Sequence, residues 1–289
     1  MRFSYAESMT DPAFYAPLAQ AAEEAGFASF VVPDSIFYPE VSGSTYPYTA
    51  DGAREFLEDK PFIEPFSLIP ALGAVTNTLR FVTFVMKLPI RHPVLAAKQA
   101  ASVATLTGDR LVLGVGTSPW PEDYDVCDVP WEGRGRRMDE QIEIIRGLCA
   151  GGYFELHGDF YDVPSIKICP VPATPLPIVI GGHSEAALRR AARNDGWVHA
   201  GSDPEQLQAH LDRLTALRRE YGRESEPFET HVISLDAYSL DGVRRLEDLG
   251  VTDAIVGFRD AYQRGPDTED LQTKLDAMRW FADEVLAKL

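Results

Sequence analysis

The chain runs to 289 residues, 45% of them hydrophobic and 25% charged, with 22 Gly and 21 Pro. Those values exclude disordered, collagenous and low-complexity proteins. Lys and Arg number 27 against 44 Asp and Glu, a formal charge of -17, and a field of that sign repels phosphate backbones and anionic lipid, so neither nucleic acid nor a membrane is an expected partner.

Phe3 to Ala6 reads as a first strand. Asp11-Pro12 caps and opens a helix with apolar positions Phe14, Leu18, Ala21, Ala22 and Ala25, ending at Gly26. Ser29 to Pro33 is strand two. Residues 35–62 then form a long segment rich in Ser, Tyr, Pro and Gly, and a loop of that length in a compact domain is usually functional. Pro65 opens a helix to Thr76, and Leu79 to Met86 reads as one continuous buried strand. A helix follows over 93–106, then strand four over 110–115 and a Gly/Pro/Trp-rich loop to about residue 134.

Arg136 to Leu148 is a helix, and a Pro-rich connection over 164–177 leads to strand five, Ile178 to Ile180. Helices are expected over 184–194, 204–221, 240–249 and 269–286, alternating with strands over 196–200, 230–235 and 254–258. Eight strands each followed by a helix predict a single (β/α)8 TIM barrel over residues 1–289, with long βα loops after strands two and four. A doubly wound sheet would want a nucleotide fingerprint after its first strand, and the sequence has none there. Cys127, Cys149 and Cys169 form no C-x-x-C pair, and neither an apolar leader nor a run long enough to span a bilayer is visible. A cytoplasmic location is therefore expected.

In such a barrel the chemistry lies on the loops leaving the C-terminal strand ends. Gly181-Gly182-His183-Ser184 places two glycines before a helix start, where backbone N–H groups and the dipole suit a phosphate; a plain tight turn capped by Ser184 is the alternative. Gly114-Val115-Gly116-Thr117-Ser118 fails as a dinucleotide fingerprint because Pro119 follows, but it suits a loop lying against a flat ligand. Asp34 ends strand two, where its carboxylate can accept from a ligand or cap the loop. Glu122 is a candidate proton donor, and Lys87 a candidate Schiff-base amine or a solvated loop lysine. Tyr46-Pro47-Tyr48 either lines an apolar pocket or packs under its own loop. The six histidines include no i,i+4 pair, so no metal site is expected.

Leu88-Pro89-Ile90-Arg91-His92-Pro93-Val94-Leu95, followed by Thr105-Leu106-Thr107-Gly108-Asp109-Arg110-Leu111, resembles the bacterial luciferase-like family of flavin and deazaflavin oxidoreductases. The likeness continues through Arg134-Gly135-Arg136-Arg137-Met138, Pro177 to Gly182 and Asp195-Gly196-Trp197, covering roughly residues 15–260. Tyr46-Pro47-Tyr48 and Asp51-Gly52 look like the branch that uses coenzyme F420. The resemblance implies a (β/α)8 barrel with the ring of F420, or alternatively FMN, in its mouth and the phosphate near Gly181, Gly182, His183 and Ser184. Gly116, Thr117 and Ser118 would contribute from the strand-four loop, and Asp34 would lie near the ring hydroxyl. A non-proline cis peptide at the end of strand three maps to Phe84–Val85, backing the ring. Many relatives follow the acid with His where this chain has Ser35, Phe84 is bulky where Gly or Ser is usual, and Thr117-Ser118-Pro119-Trp120 replaces a common Gly-Trp.

The resulting expectation is an oxidoreductase moving hydride between F420 and a small organic substrate, working as a homodimer, with Asp34 tuning the ring and Glu122 donating a proton. Its rivals are an FMN-dependent monooxygenase on the same fold, a catalytically idle cofactor-binding barrel, and a Schiff-base aldolase using Lys87.

Overall fold

The computed structural model describes residues 1–47, 49 and 51–289. Eight parallel strands form the barrel wall: β1 (Arg2–Ala6), β2 (Ser29–Val32), β3 (Arg80–Thr83), β4 (Leu111–Gly116), β5 (Ile178–Gly181), β6 (Gly196–His199), β7 (Glu229–Ile233) and β8 (Asp253–Val256). Each pairs with the next in sequence, Phe81 against Leu111 at the β3–β4 seam, and β8 returns to β1 with Arg2 opposite Asp253, so the sheet closes and no edge is left. The predicted (β/α)8 barrel is therefore the fold observed.

The helices α1 (Tyr15–Glu24), α2 (Pro65–Gly73), α3 (Pro93–Thr107), α4 (Arg134–Cys149), α5 (Glu185–Ala192), α6 (Pro204–Glu220), α7 (Leu240–Asp248) and α8 (Leu271–Glu284) follow the strands in turn. Their starts are written in the sequence: Glu64, Ser184, Asp203, Ser239 and Asp270 each accept an amide hydrogen bond as N-caps of α2, α5, α6, α7 and α8. Gly108 and Asp109 end α3 in left-handed backbone. The main core lies between wall and helices, and a second small cluster of Val82, Val112, Val179 and Val198 fills the barrel, with Phe84 and Val85 packed above it. At the opposite, N-terminal end Arg2 pairs with Asp253 at 2.7 Å and Arg80 with Glu229 at 2.9 Å, which closes the floor with ion pairs. Among the described residues no helix is long and apolar enough to cross a membrane.

Three local expectations are corrected. The run from Leu79 to Met86 is not one strand: β3 stops at Thr83, Phe84–Val85 is cis, and only Met86–Lys87 resumes pairing, with Val115 and Gly116. The loop after β4 contains a short helix, Pro121–Val126, which Pro121 and the first-turn acids Glu122 and Asp123 favour. Between α4 and β5 an antiparallel hairpin, Phe154–His157 with Asp162–Ile166, precedes the Pro-rich connection.

Candidate active site at the barrel mouth

The C-terminal strand ends converge on Val85. Its side chain sits where a Cβ on Gly116 would come within 2.7 Å of Val85 Cγ2, and one on Gly181 within 2.9 Å of Cγ1. Glycine at the ends of β4 and β5 is thus required by a valine wedged between two strands. Beneath them Gly114 has no room for a side chain at all, since its Cβ would meet the Thr83 carbonyl at 2.0 Å. The Thr83 hydroxyl donates to the Gly114 carbonyl at 2.7 Å and holds the seam. Phe84 and Val85 form the apolar floor of the mouth, where the resemblance places the face of a ring.

Asp34 lies at this mouth with both carboxylate oxygens engaged within the protein. One oxygen accepts from the Lys87 amide at 2.9 Å and the other pairs with Arg91 at 2.8 Å, with the side chain 1% exposed. It fixes the turn Lys87–Arg91. Lys87 is likewise engaged: its ammonium lies 2.8 Å from buried Asp123 and 4.5 Å from the centre of the Trp120 ring. An amine engaged by a buried carboxylate and covered by an indole is poorly placed to attack a carbonyl.

The β4 loop divides into one free donor and two structural members. Thr117 is half-buried, and its hydroxyl makes no hydrogen bond among the described residues. Ser118 is buried, donates to Asp123 and accepts from the Trp120 amide at 3.1 Å, so its hydroxyl shapes the loop. Glu122, the candidate proton donor, is tied to the loop after β2. Burial acts to raise its pKa, but hydrogen bonds from Ser42 and Ser44 and the Arg54 charge outweigh that and hold it below the usual value. Glu122 is an ionised latch that fastens the 35–62 loop over the mouth.

That loop carries Tyr46 and Phe56 into a cluster with Trp120 and Tyr262, ring centres 5.0 to 6.1 Å apart. Arg54 lies over Trp120 at 4.4 Å. Tyr46 therefore packs against both its own loop and the β4 loop, while Tyr48 falls outside the described residues.

On the far side, Gly182 turns the chain with φ +112° and its carbonyl accepts from Trp197 Nε1 at 2.9 Å. Ser184 caps α5 through the Ala187 amide at 3.3 Å, which leaves the amides of Glu185 and Ala186 with no partner in the helix. This is a seat for an anion, as the sequence suggests. His183 packs here with two residues that strand spacing had not singled out, His199 at the end of β6 and His210 on α6, ring centres 4.8 and 4.9 Å from its own. Burial lowers all three pKa values, His183 to about 4 and His199 to about 3, with the neighbouring imidazoles adding to the effect on those two. The rings are neutral at physiological pH.

The residues present fit a phosphorylated ring cofactor: an apolar floor at Phe84 and Val85, a free hydroxyl at Thr117 and unpartnered amides opening α5. A closed parallel barrel with these elements at its C-terminal mouth defines a TIM-barrel protein built to bind at that end. The luciferase-like monooxygenase model matches residues 3–288, and the chain belongs to that family. An uncharacterized protein of Mycobacterium tuberculosis, Rv0940c, is 62% identical over 289 residues, covering 100% of both chains. The F420-dependent glucose-6-phosphate dehydrogenase of Nakamurella multipartita is 28% identical over 98% of this chain and 84% of its own. The FMNH2-dependent dimethylsulfone monooxygenase of Pseudomonas fluorescens is 30% identical over 69% of this chain and 51% of its own. Among solved structures, the F420-dependent tetrahydromethanopterin reductase of Methanopyrus kandleri superposes with a TM-score of 0.75 at 15% identity, covering 99% of each chain. The family is one of oxidoreductases and monooxygenases with flavin or deazaflavin relatives.

Proposed function

We propose that this protein is an F420-dependent oxidoreductase that transfers hydride between the coenzyme and a small organic substrate. The observation that carries the reading is the pairing of an apolar floor at Phe84 and Val85 with an anion seat at Gly182 to Ala186 across one mouth. Alignment with an F420-dependent dehydrogenase over 98% of the chain supports the choice of cofactor.

The residues divide the work by position. The α5 amides and Ser184 would hold the phosphate, Thr117 would donate to the cofactor from the β4 loop, and Val85 would lie against one ring face. A bound deazaflavin supplies a two-electron hydride donor that reacts poorly with oxygen. Asp34 acts as a positioning residue through Lys87 and Arg91. The Tyr46, Phe56, Trp120 and Tyr262 cluster excludes water from the mouth, with Glu122 keeping the loop closed. With Glu122 held as an anion, the proton that accompanies hydride comes from substrate or solvent.

The test is single turnover of bound reduced F420, under argon against a panel of carbonyl, imine and activated-alkene acceptors and in parallel against oxygen alone. Reoxidation with an acceptor and little without one supports the reading; fast reoxidation by oxygen alone, or none with any acceptor, rejects it. The FMN-dependent relative makes an FMN monooxygenase the second reading, and oxygen uptake with reduced FMN is its signature.

A further inference from the structure

Three imidazoles from three separate elements meet beside the anion seat: His183 after β5, His199 ending β6 and His210 in α6. One nitrogen of each lies within 4.8 Å of one nitrogen of the other two. We propose that His183, His199 and His210 form a binding site for one divalent transition-metal ion of the Zn2+ type. The proposal goes beyond the cofactor reading and does not depend on which ring binds.

Ring geometry favours it. An imidazole ligating Zn2+ at about 2.0–2.1 Å holds its ring centre about 3 Å from the ion, so tetrahedrally placed rings lie about 5 Å apart. The observed centre separations are 4.8, 4.9 and 6.4 Å, and the site closes if His199 and His210 approach by about 1 Å.

The tautomers favour it as well. Ser202 Oγ donates to the Asp203 carbonyl at 3.1 Å, so toward His199 Nε2, 2.9 Å away, it must accept. That places the proton on Nε2 and the lone pair on Nδ1, in the manner of a ligand oriented by an outer hydrogen bond. His199 Nδ1 and His183 Nε2 accept from the consecutive amides of Gly201 and Ala200 at 3.3 and 3.2 Å, beyond or at the long end of hydrogen-bonding distance. His210 Nδ1 is closed off from solvent with no hydrogen-bond partner among the described residues. A metal ion would take up a buried donor that the protein leaves unused and replace two long contacts.

The surroundings suit a neutral-nitrogen site. Among the described residues neither His199 nor His210 pairs with a carboxylate. Glu185 is held by Arg189 at 2.7 Å and by Arg213, and Asp203 is used in capping α6. His199 is fully buried while His183 and His210 are half-buried, which leaves a way in for an ion. Three nitrogen ligands leave a coordination position open to water or an anion.

The experiment uses full-length protein without a histidine tag, stripped with chelator and titrated with Co2+ by visible absorbance and with Zn2+ by competition. The expected result is one equivalent of Co2+ with the ligand-field bands of a four-coordinate nitrogen site. His199→Ala and His210→Ala should each weaken binding at least about 100-fold, and Ser202→Ala about tenfold through loss of ring orientation. No binding by wild-type protein overturns the proposal whatever the variants do. So does binding that survives both histidine changes, or that is lost instead in His231→Gln, which would place the ion at the Glu229, His231 and Asp253 cluster. Binding of F420 and FMN to the stripped protein, measured separately, reports on the cofactor reading alone.

Discussion

Gly116→Ala probes the mouth directly. The new methyl would sit 2.7 Å from Val85 Cγ2, against an ordinary carbon–carbon contact of about 3.5–4.0 Å. Val85 cannot retreat toward β5, because its other methyl already fills the space over Gly181 at a distance of 2.9 Å from an ideal Cβ there. Overpacking of this kind costs about 1–3 kcal/mol, or a fall in Tm of roughly 2–4 °C for each kcal/mol in a chain of this size. Thermal and urea unfolding of the wild type, Gly116→Ala, Val85→Ala and the double variant form a cycle. Val85→Ala should recover most of the Gly116→Ala loss, a coupling of at least about 1 kcal/mol. Additive effects, or a Gly116→Ala protein as stable as wild type, would refute the wedge and with it the account of why these strand ends carry glycine.

Three other substitutions test other parts of the structure. Glu23 accepts amides of Asn77, Thr78 and Leu79; burial acts to raise its pKa, but those hydrogen bonds pull it from 4.5 down to about 2. A depressed folded pKa contributes stability above the unfolded value, lost as pH falls from 4.5 toward 2. Glu23→Gln should therefore cost about 1 kcal/mol at neutral pH, after allowance for solvent screening, and flatten the acid limb of a Tm-against-pH curve; an unchanged acid limb would contradict this. Asp34→Asn strands the Arg91 guanidinium and should cost about 3 kcal/mol in urea unfolding, while a loss near zero would show that the pair is not holding the turn. Glu122→Gln should quicken limited proteolysis within residues 35–62, whereas a proton donor would leave proteolysis unchanged and abolish turnover.

The barrel was legible because its determinants are local. Runs such as Ile178-Val179-Ile180 and caps such as Ser184 and Asp203 act within a few residues of themselves, and alternation of the two fixed the fold class. The Phe84–Val85 cis bond was reached through family resemblance alone. The hairpin at Phe154–His157 was missed because four residues of alternation beside two glycines carry little signal, and the Pro121–Val126 helix because Pro119 and Pro121 suggested a loop.

The site was only partly legible, since its partners are distant in sequence. Asp34 looks free until Arg91 is brought to it, and Glu122 looks like an acid until Ser42, Ser44 and Arg54 fold over it. The steric need for glycine at 116 and 181 is invisible locally, because the methyls that demand it belong to Val85, on another strand end. His183, His199 and His210 have no regular spacing, and only barrel closure stacks them. One cue was available: His199 ends a strand on the functional face, where position alone marks a candidate.

The most direct test of the central claim, that this mouth seats a phosphorylated deazaflavin, is competitive binding of oxidised F420 and FMN to the purified protein, followed by fluorescence and calorimetry. The account predicts one F420 per chain, bound more tightly than FMN, with affinity reduced when Gly182→Val alters the anion seat. FMN bound more tightly than F420 would contradict the choice of cofactor, and failure of both to bind would contradict the claim itself.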